Sequence, residues 1–224
     1  MKKIGSLVVV SLFISSVAFA SPLMDYSAGK GSIDLTWRDT KNTENLYGQS
    51  YDYNKKYNLD GMLTFGLGNK FAVQYRNFEP TSADTTWGGD VGTFKLTTNE
   101  VNVLYKLDKN IAILAGWVNA KGYAQDNTNS GGSNGFNTKN LWQVGVVAST
   151  AIAKKTTLWG GIAVGKDLTN YEVGIGYEIS HGWEFNVNYR DLDLKKFNSS
   201  DDEVGWSNVG LNAKGLGVGI TNKF

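Results

Sequence analysis

Ten segments of this chain alternate apolar and polar side chains with a period of two, and each reads as a strand with one wet and one dry face. Ile33, Leu35 and Trp37 alternate with Asp34, Thr36 and Arg38; Gly61, Leu63 and Phe65 alternate with Asp60, Met62 and Thr64. Phe71, Val73 and Tyr75 stand against Ala72, Gln74 and Arg76, and Val101, Val103 and Tyr105 against Glu100, Asn102 and Lys106. Segments near 111–119 and 141–150 are more uniformly apolar, which leaves their facing open, and one near 156–165 follows. Tyr171, Val173, Ile175 and Tyr177 then oppose Glu172, Gly174, Gly176 and Glu178, while Trp183, Phe185, Val187 and Tyr189 oppose Glu184, Asn186, Asn188 and Arg190. The last segment sets Leu216, Val218, Ile220 and Phe224 against Gly217, Gly219, Thr221 and Lys223. The chain therefore ends inside a patterned strand, where a domain usually leaves loose residues.

The connections alternate in length. Polar stretches near 39–55, 79–95, 120–139 and 192–205 exchange with short turns at Gly68-Asn69-Lys70, Asp108-Lys109-Asn110 and Ser180-His181-Gly182. The connection at Lys166 to Leu168 is short where a long one is expected. At the amino terminus, Lys2 and Lys3 precede an apolar run closed by Ala18-Phe19-Ala20, the pattern of a signal peptide over residues 1–20, with 21–224 as one mature domain. Removing those two lysines takes the formal charge from +1 to about −1, which argues against nucleic-acid binding. With no cysteine, neither disulfides nor a lipid-anchored terminus are expected. No later apolar run is long enough for a spanning helix, so a chain that crosses a membrane must do so as a closed barrel.

On its leader, its alternation, its short and long connections and its terminal Phe224, the chain resembles small bacterial outer-membrane β-barrels of porin-like type. The resemblance implies an all-β, closed antiparallel transmembrane barrel, of ten strands within a range of eight to twelve, located in the outer membrane. It further implies a monomer in contact with membrane lipid and lipopolysaccharide, inserted by barrel assembly machinery that reads the strand ending at Phe224. A soluble lipocalin-like barrel or a β-sandwich shares the alternation, but sandwiches space strands about 8 to 12 residues apart, whereas this chain spends about twice that per strand.

If the apolar face meets lipid, the other lines the interior. The expected lumen charges are Asp34, Arg38, Asp60, Arg76, Glu100, Lys106, Glu172, Glu178, Glu184 and Arg190. Trp37, Tyr75, Trp117 and Tyr189 each stand two residues before an Asp or Asn, which is expected to start a loop, and they suit an outer aromatic girdle. Phe65, Phe71, Tyr105, Trp183 and Phe224 suit the periplasmic one. Two interiors remain open: Arg and Glu filling the lumen with ion pairs, or facing one another across a water path. The inward glycines Gly161, Gly165, Gly174, Gly176, Gly217 and Gly219 leave part of the wall bare, to admit a side chain, to keep water, or to relieve strain where the barrel curves.

The function expected is structural, or a narrow passive channel for small polar solutes. The alternative is a surface adhesin or ligand-binding barrel using Tyr47, Tyr51, Tyr53, Tyr57 and Trp87 or the polar tract Asn127 to Gly135, although the alternating tyrosines also fit strands continued above the membrane. Barrel enzymes of omptin or lipid-modifying type need a base at the outer mouth. The sole histidine, His181, falls in a short turn on the other side. No cofactor and no metal site is expected; the acidic run Asp201 to Glu203 lacks the spacing of a calcium loop.

Overall fold

The computed structural model describes residues 25–87, 89–128, 132–200 and 205–224; the expected signal peptide and the acidic run at 201–203 lie outside them. The strands are β1 (Gly31–Leu46), β2 (Gln49–Asp52), β3 (Lys56–Gly68), β4 (Phe71–Phe78), β5 (Thr85–Trp87), β6 (Asp90–Lys106) and β7 (Ile111–Asp126). They continue with β8 (Ser133–Gly135), β9 (Lys139–Ala153), β10 (Thr156–Gly165), β11 (Leu168–Ser180), β12 (Trp183–Phe197) and β13 (Val209–Lys223). Ten of them form an antiparallel ring in the order β6, β4, β3, β1, β13, β12, β11, β10, β9, β7, and β7 returns to β6. The first and last strands close it along a register from Ser32 opposite Lys223 to Asn45 opposite Gly210. Phe224 completes that seam: its amide donates to the Gly31 carbonyl at 3.0 Å and its carbonyl accepts from the Gly31 amide at 2.9 Å.

Two strand surfaces exchange polarity partway up the barrel. Along β12 the inward side chains run Glu184, Asn186, Asn188, Arg190, then Leu192 and Leu194, while the outward ones run Trp183, Phe185, Val187, Tyr189, then Asp191, Asp193 and Lys195. β6 repeats this in reverse order, with Phe94 and Leu96 buried above Glu100 and Asn102, and Lys95, Thr97 and Asn99 outside above Val101 and Val103. The lower part is apolar outside and polar inside, as a lipid-embedded barrel requires. The upper part of these two strands is polar outside and apolar inside, as a water-soluble barrel requires.

This corrects the expectation that the long polar stretches are loops. β1 continues to Leu46, β6 begins at Asp90, β7 continues to Asp126 and β12 to Phe197, and all four remain paired there. The stretches look polar because their outward residues are wet, whereas their inward residues pack a core of Phe94, Leu96, Phe136, Leu192, Leu194, Phe197, Val209 and Leu211. The short hairpin at Lys166 and Asp167 is bridged over by its neighbours. Beyond it Phe136 pairs with Ser199, and the Lys139 ammonium donates to Asp167 Oδ2 at 3.2 Å and to the Lys195 and Lys196 carbonyls at 2.8 and 3.2 Å.

The polarity exchange sits at the aromatic-x-Asx repeats. Trp37 and Trp117 are each 52% exposed and face outward with Tyr75, while Tyr189 is half-buried. Asp39, Asn77, Asn119 and Asp191 lie within strands, which corrects their assignment as loop starts. Asx residues at this level accept hydrogen bonds from the rings. Tyr75 OH donates to Asn99 Oδ1 at 2.8 Å, Tyr171 OH to Asp191 Oδ2 at 2.9 Å, and Trp117 Nε1 to Asn140 Oδ1 at 3.3 Å. Trp142 and Tyr171 join this girdle, while Phe65, Phe71, Trp183 and Phe224 are exposed, with half-buried Tyr105, toward the end with short turns. A closed all-β barrel with an aliphatic band between two aromatic rims has the outer surface of a transmembrane β-barrel.

Candidate functional site

The interior is where the sequence concentrated its charges, and Asp60 is its centre. The Asp60 carboxylate, on β3, receives Arg38 Nη2 at 3.0 Å from β1, Arg76 Nε at 2.7 Å from β4, and lies 3.6 Å from Arg190 Nη1 of β12. Glu172 on β11 joins from the far wall, accepting from Arg38 Nη2 at 2.9 Å and Arg76 Nη1 at 2.7 Å. Glu100 on β6 accepts from Arg190 Nη2. Three guanidiniums thus meet three carboxylates, and the layer is neutral. Arg38 also donates to the Gly215 carbonyl at 3.0 Å and Arg190 Nε to Asn170 Oδ1 at 3.0 Å. Arg38 and Arg190 are fully buried, a placement tolerable only because every charge has an opposite partner in contact.

The expected lumen charges divide into three groups. Arg38, Asp60, Arg76, Glu100, Glu172 and Arg190 come together in this layer. Asp34 and Glu184 are buried below it: Asp34 accepts from Thr221 Oγ1 at 2.6 Å and Ser32 Oγ at 3.1 Å, and Glu184 pairs with Lys223 at 3.2 Å. Lys106 and Glu178 stand half-buried at the ends of β6 and β11, on the inward phase and away from the central layer.

Phe78 separates the charges from the apolar core above. Its ring is fully buried, with the Arg190 and Arg38 guanidinium carbons 5.2 and 5.9 Å from its centroid, so each cation faces the ring's negative surface. At the end with short turns Tyr26, which precedes β1, is turned into the barrel and packs with Ala72, Leu104 and Ala112. Inward side chains at all three levels, from Thr221 and Leu104 through Arg38 to Leu192 and Leu211, are at 0% exposure. An open bore would wet them.

The remaining space lies to one side of the charged layer. A cavity of about 70 Å³ is bounded by Arg76, Glu100, Gln143, Trp159, Asn170 and Glu172, with one of about 20 Å³ beside it near Asp34 and Asn188. Gln74, Asn102 and Gln143 form a chain around it, Gln143 Nε2 donating to Asn102 Oδ1 at 2.9 Å and Asn102 Nδ2 to Gln74 Oε1 at 3.1 Å. Volumes of this order suit a few water molecules.

Trp159 was not anticipated as a lumen residue. Its strand is apolar on both faces, with outward Leu158, Ile162 and Val164 and inward Trp159 and Ala163, so periodicity carries no phase there. The bare glycines supply the signal that was available. A Cβ on Gly174 would stand 2.6 Å from the Trp159 ring, and Cβ atoms on Gly217 and Gly219 would stand 2.4 and 2.5 Å from the Thr36 side chain. At Gly174, Gly217 and Gly219 the bare wall therefore admits neighbouring side chains, whereas Gly161 lines the cavity of about 70 Å³. Outside the membrane, the strand reading of the tyrosines in the first long connection holds in part, since Tyr47 stands in the turn between β1 and β2 and Tyr53 between β2 and β3. Tyr51 lies in β2 and Tyr57 in β3, and Tyr53 is buried with its hydroxyl donating to Glu44 Oε2 at 3.1 Å. His181 stands in the turn between β11 and β12, at the opposite end.

No family model matches the sequence and no curated protein matches it. Among solved structures the barrel is similar to Ail, the attachment invasion locus protein of Yersinia pestis, at 11% identity over 88% of this chain and 99% of that one, with a TM-score of 0.48. It is also similar to Neisserial surface protein A at 15% identity over 88% and 98%, TM-score 0.41. The translocator domain of the autotransporter NalP from Neisseria meningitidis follows at 10% identity over 88% and 89%, TM-score 0.40. Likenesses at this level leave the barrel's own geometry as the ground for its function.

Proposed function

We propose that this protein is a sealed outer-membrane barrel serving as a structural scaffold for the folded β-extension that it holds above the membrane. The observation that carries the reading is the spanning of the bore by ion pairs from opposite walls, roofed by Phe78 and the apolar core. Of the two expected interiors, ion pairing across the lumen is favoured over a narrow passive channel, because solutes would have to separate charges at a cost of several kcal/mol each. The scaffold needs no cofactor and no catalytic group. It stands as a monomer in lipid and lipopolysaccharide, delivered by assembly machinery that binds the strand ending at Phe224.

Planar-bilayer recording of the refolded protein tests this directly. The expected record is flat; discrete openings that change ion selectivity in an Arg76→Gln variant would overturn it. A second reading, adhesion or ligand binding at the outer surface, is supported by the exposed Tyr47, Tyr51 and Tyr57 around the first outer hairpin, at 73%, 38% and 68% exposure. Exposed tyrosines make efficient contact anchors. Loss of surface binding on replacing Tyr47 and Tyr57 by serine, with insertion intact, would identify it.

A further inference from the structure

A second concavity lies on the outside of the barrel. On the lipid-facing wall, Val103, Ala115 and Val144 stand in one register across β6, β7 and β9 and form a low floor. Phe71 and Tyr105 rise on one side, their rings 4.9 Å apart, and Ile162 on the other. The hollow is about 660 Å³ and its lining is apolar apart from the Tyr105 hydroxyl. Its surroundings are hydrocarbon, so shape alone selects no particular chain.

Charge supplies the selection. At the periplasmic foot of the hollow the turns are basic: Lys70 directly precedes Phe71 and Lys109 occupies the turn into β7, whereas Lys106 follows Tyr105 on the inward phase of Leu104. The two strand ends are joined, because the Lys106 amide donates to the Lys70 carbonyl at 2.8 Å. Lys154 and Lys155 continue the basic edge on the next hairpin. Lys70, Lys109 and Lys154 are exposed and enter no ion pair among the described residues. The neighbouring acids are engaged elsewhere. Asp108 accepts from the Asn110 and Ile111 amides at 2.6 and 3.0 Å, and Asp25 accepts from the Ser27 amide and hydroxyl at 3.0 and 2.7 Å, although Asp25 also senses Lys106.

We propose that the hollow and these turns form a site for an anionic phospholipid of the periplasmic leaflet, its acyl chains lying over Ala115 and its phosphate held between Lys70 and Lys109. A second copy of the chain fits less well, because packing hollow on hollow would bring two sets of lysines together at the edge of a low-dielectric contact. Lys70 and Lys109 stand in the turns next to the Phe71 and Tyr105 strand ends, and basic side chains at a headgroup surface attract anionic lipids by about fivefold each.

Native mass spectrometry of the folded protein, released from micelles containing either dioleoyl phosphatidylglycerol or dioleoyl phosphatidylcholine, tests the site. The wild-type chain is expected to retain the anionic lipid about tenfold more than the zwitterionic one. Lys70→Gln with Lys109→Gln should lower retention of the anionic lipid about tenfold and leave the zwitterionic one unchanged. Lys109→Gln alone should give the smaller step. Ala115→Phe, which fills the floor from the lipid side, should weaken the anionic lipid with every lysine in place. Equal retention of the two lipids, or retention indifferent to these substitutions, would overturn the proposal. So would a dimer in sedimentation that Ala115→Phe abolishes. Heat-modifiable gel migration reports that each variant is folded.

Discussion

Arg76 Nη1 lies 2.7 Å from Glu172 Oε2 although their strands, β4 and β11, stand five positions apart on a ring of ten, on opposite walls. Arg190 on β12 and Glu100 on β6 are likewise five positions apart and in contact. Two diametric bonds crossing at one level brace the barrel as spokes brace a rim, with Asp60 as their hub.

Asp60 is the group whose loss leaves the most charge unanswered, because it touches all three arginines. Asp60→Asn is expected to cost about 3–5 kcal/mol, the penalty of a buried ion network robbed of one partner. Glu172→Gln should cost less, since that side chain is 13% exposed and water can reach the arginines it releases. Urea unfolding followed by gel migration ranks the two; a larger loss for Glu172→Gln would contradict the hub.

Phe78 holds the two interiors apart. Phe78→Ala should destabilise by about 3–5 kcal/mol through the cavity left behind, and the damage should be local. Hydrogen exchange is expected to quicken at Phe94 to Thr98 and at Leu192 to Leu194, while amides around Asn186 and Thr221 keep their protection. Uniform quickening would mean that the upper core is not a separate unit.

Glu44 makes the upper unit sensitive to pH. Burial raises its carboxyl above the ordinary carboxylate range, only partly opposed by the Tyr53 hydroxyl, which is itself raised chiefly by burial. A carboxyl raised in the folded state carries no penalty below its unfolded value of 4.5. The penalty grows as pH rises from there through the folded value and stays constant beyond. The upper unit should therefore lose stability on going from pH 4 to neutrality, and Glu44→Gln should remove that slope. Exchange rates of the β1 and β2 amides at two pH values measure it.

Gly174 is required by volume. Gly174→Val places side-chain atoms into the Trp159 indole and should cost about 1–3 kcal/mol, with Trp159→Ala in the same chain recovering part of it. A Trp fluorescence shift on the single substitution, reversed in urea, would accompany it; no shift would show that the ring lies elsewhere.

The sequence revealed the barrel because period-two alternation on ten segments admits few closed folds, and the charged inward positions of β1, β3, β4, β6, β11 and β12 could be read directly. The upper core stayed hidden for a physical reason. Leu192 and Leu194 are interleaved with Asp191, Asp193 and Lys195, and average polarity over such a stretch reports the outward face alone. Carried forward from Arg190 in steps of two, the same phase leads to those leucines. Trp159 was hidden for the opposite reason, an apolar residue on each face. Tyr26 stood before the first patterned segment, where alternation has nothing to say.

The exchange of faces at Trp37, Tyr75, Trp117 and Tyr189 also sets how the molecule floats. Pushed deeper, the barrel would drag Asp39, Asn119 and Asp191 into hydrocarbon; lifted, it would strand Leu35, Val187 and Val218 in water. Both displacements are uphill from one level, so the protein carries its own waterline, and whatever its long-strand rim presents is held at a fixed height above the membrane.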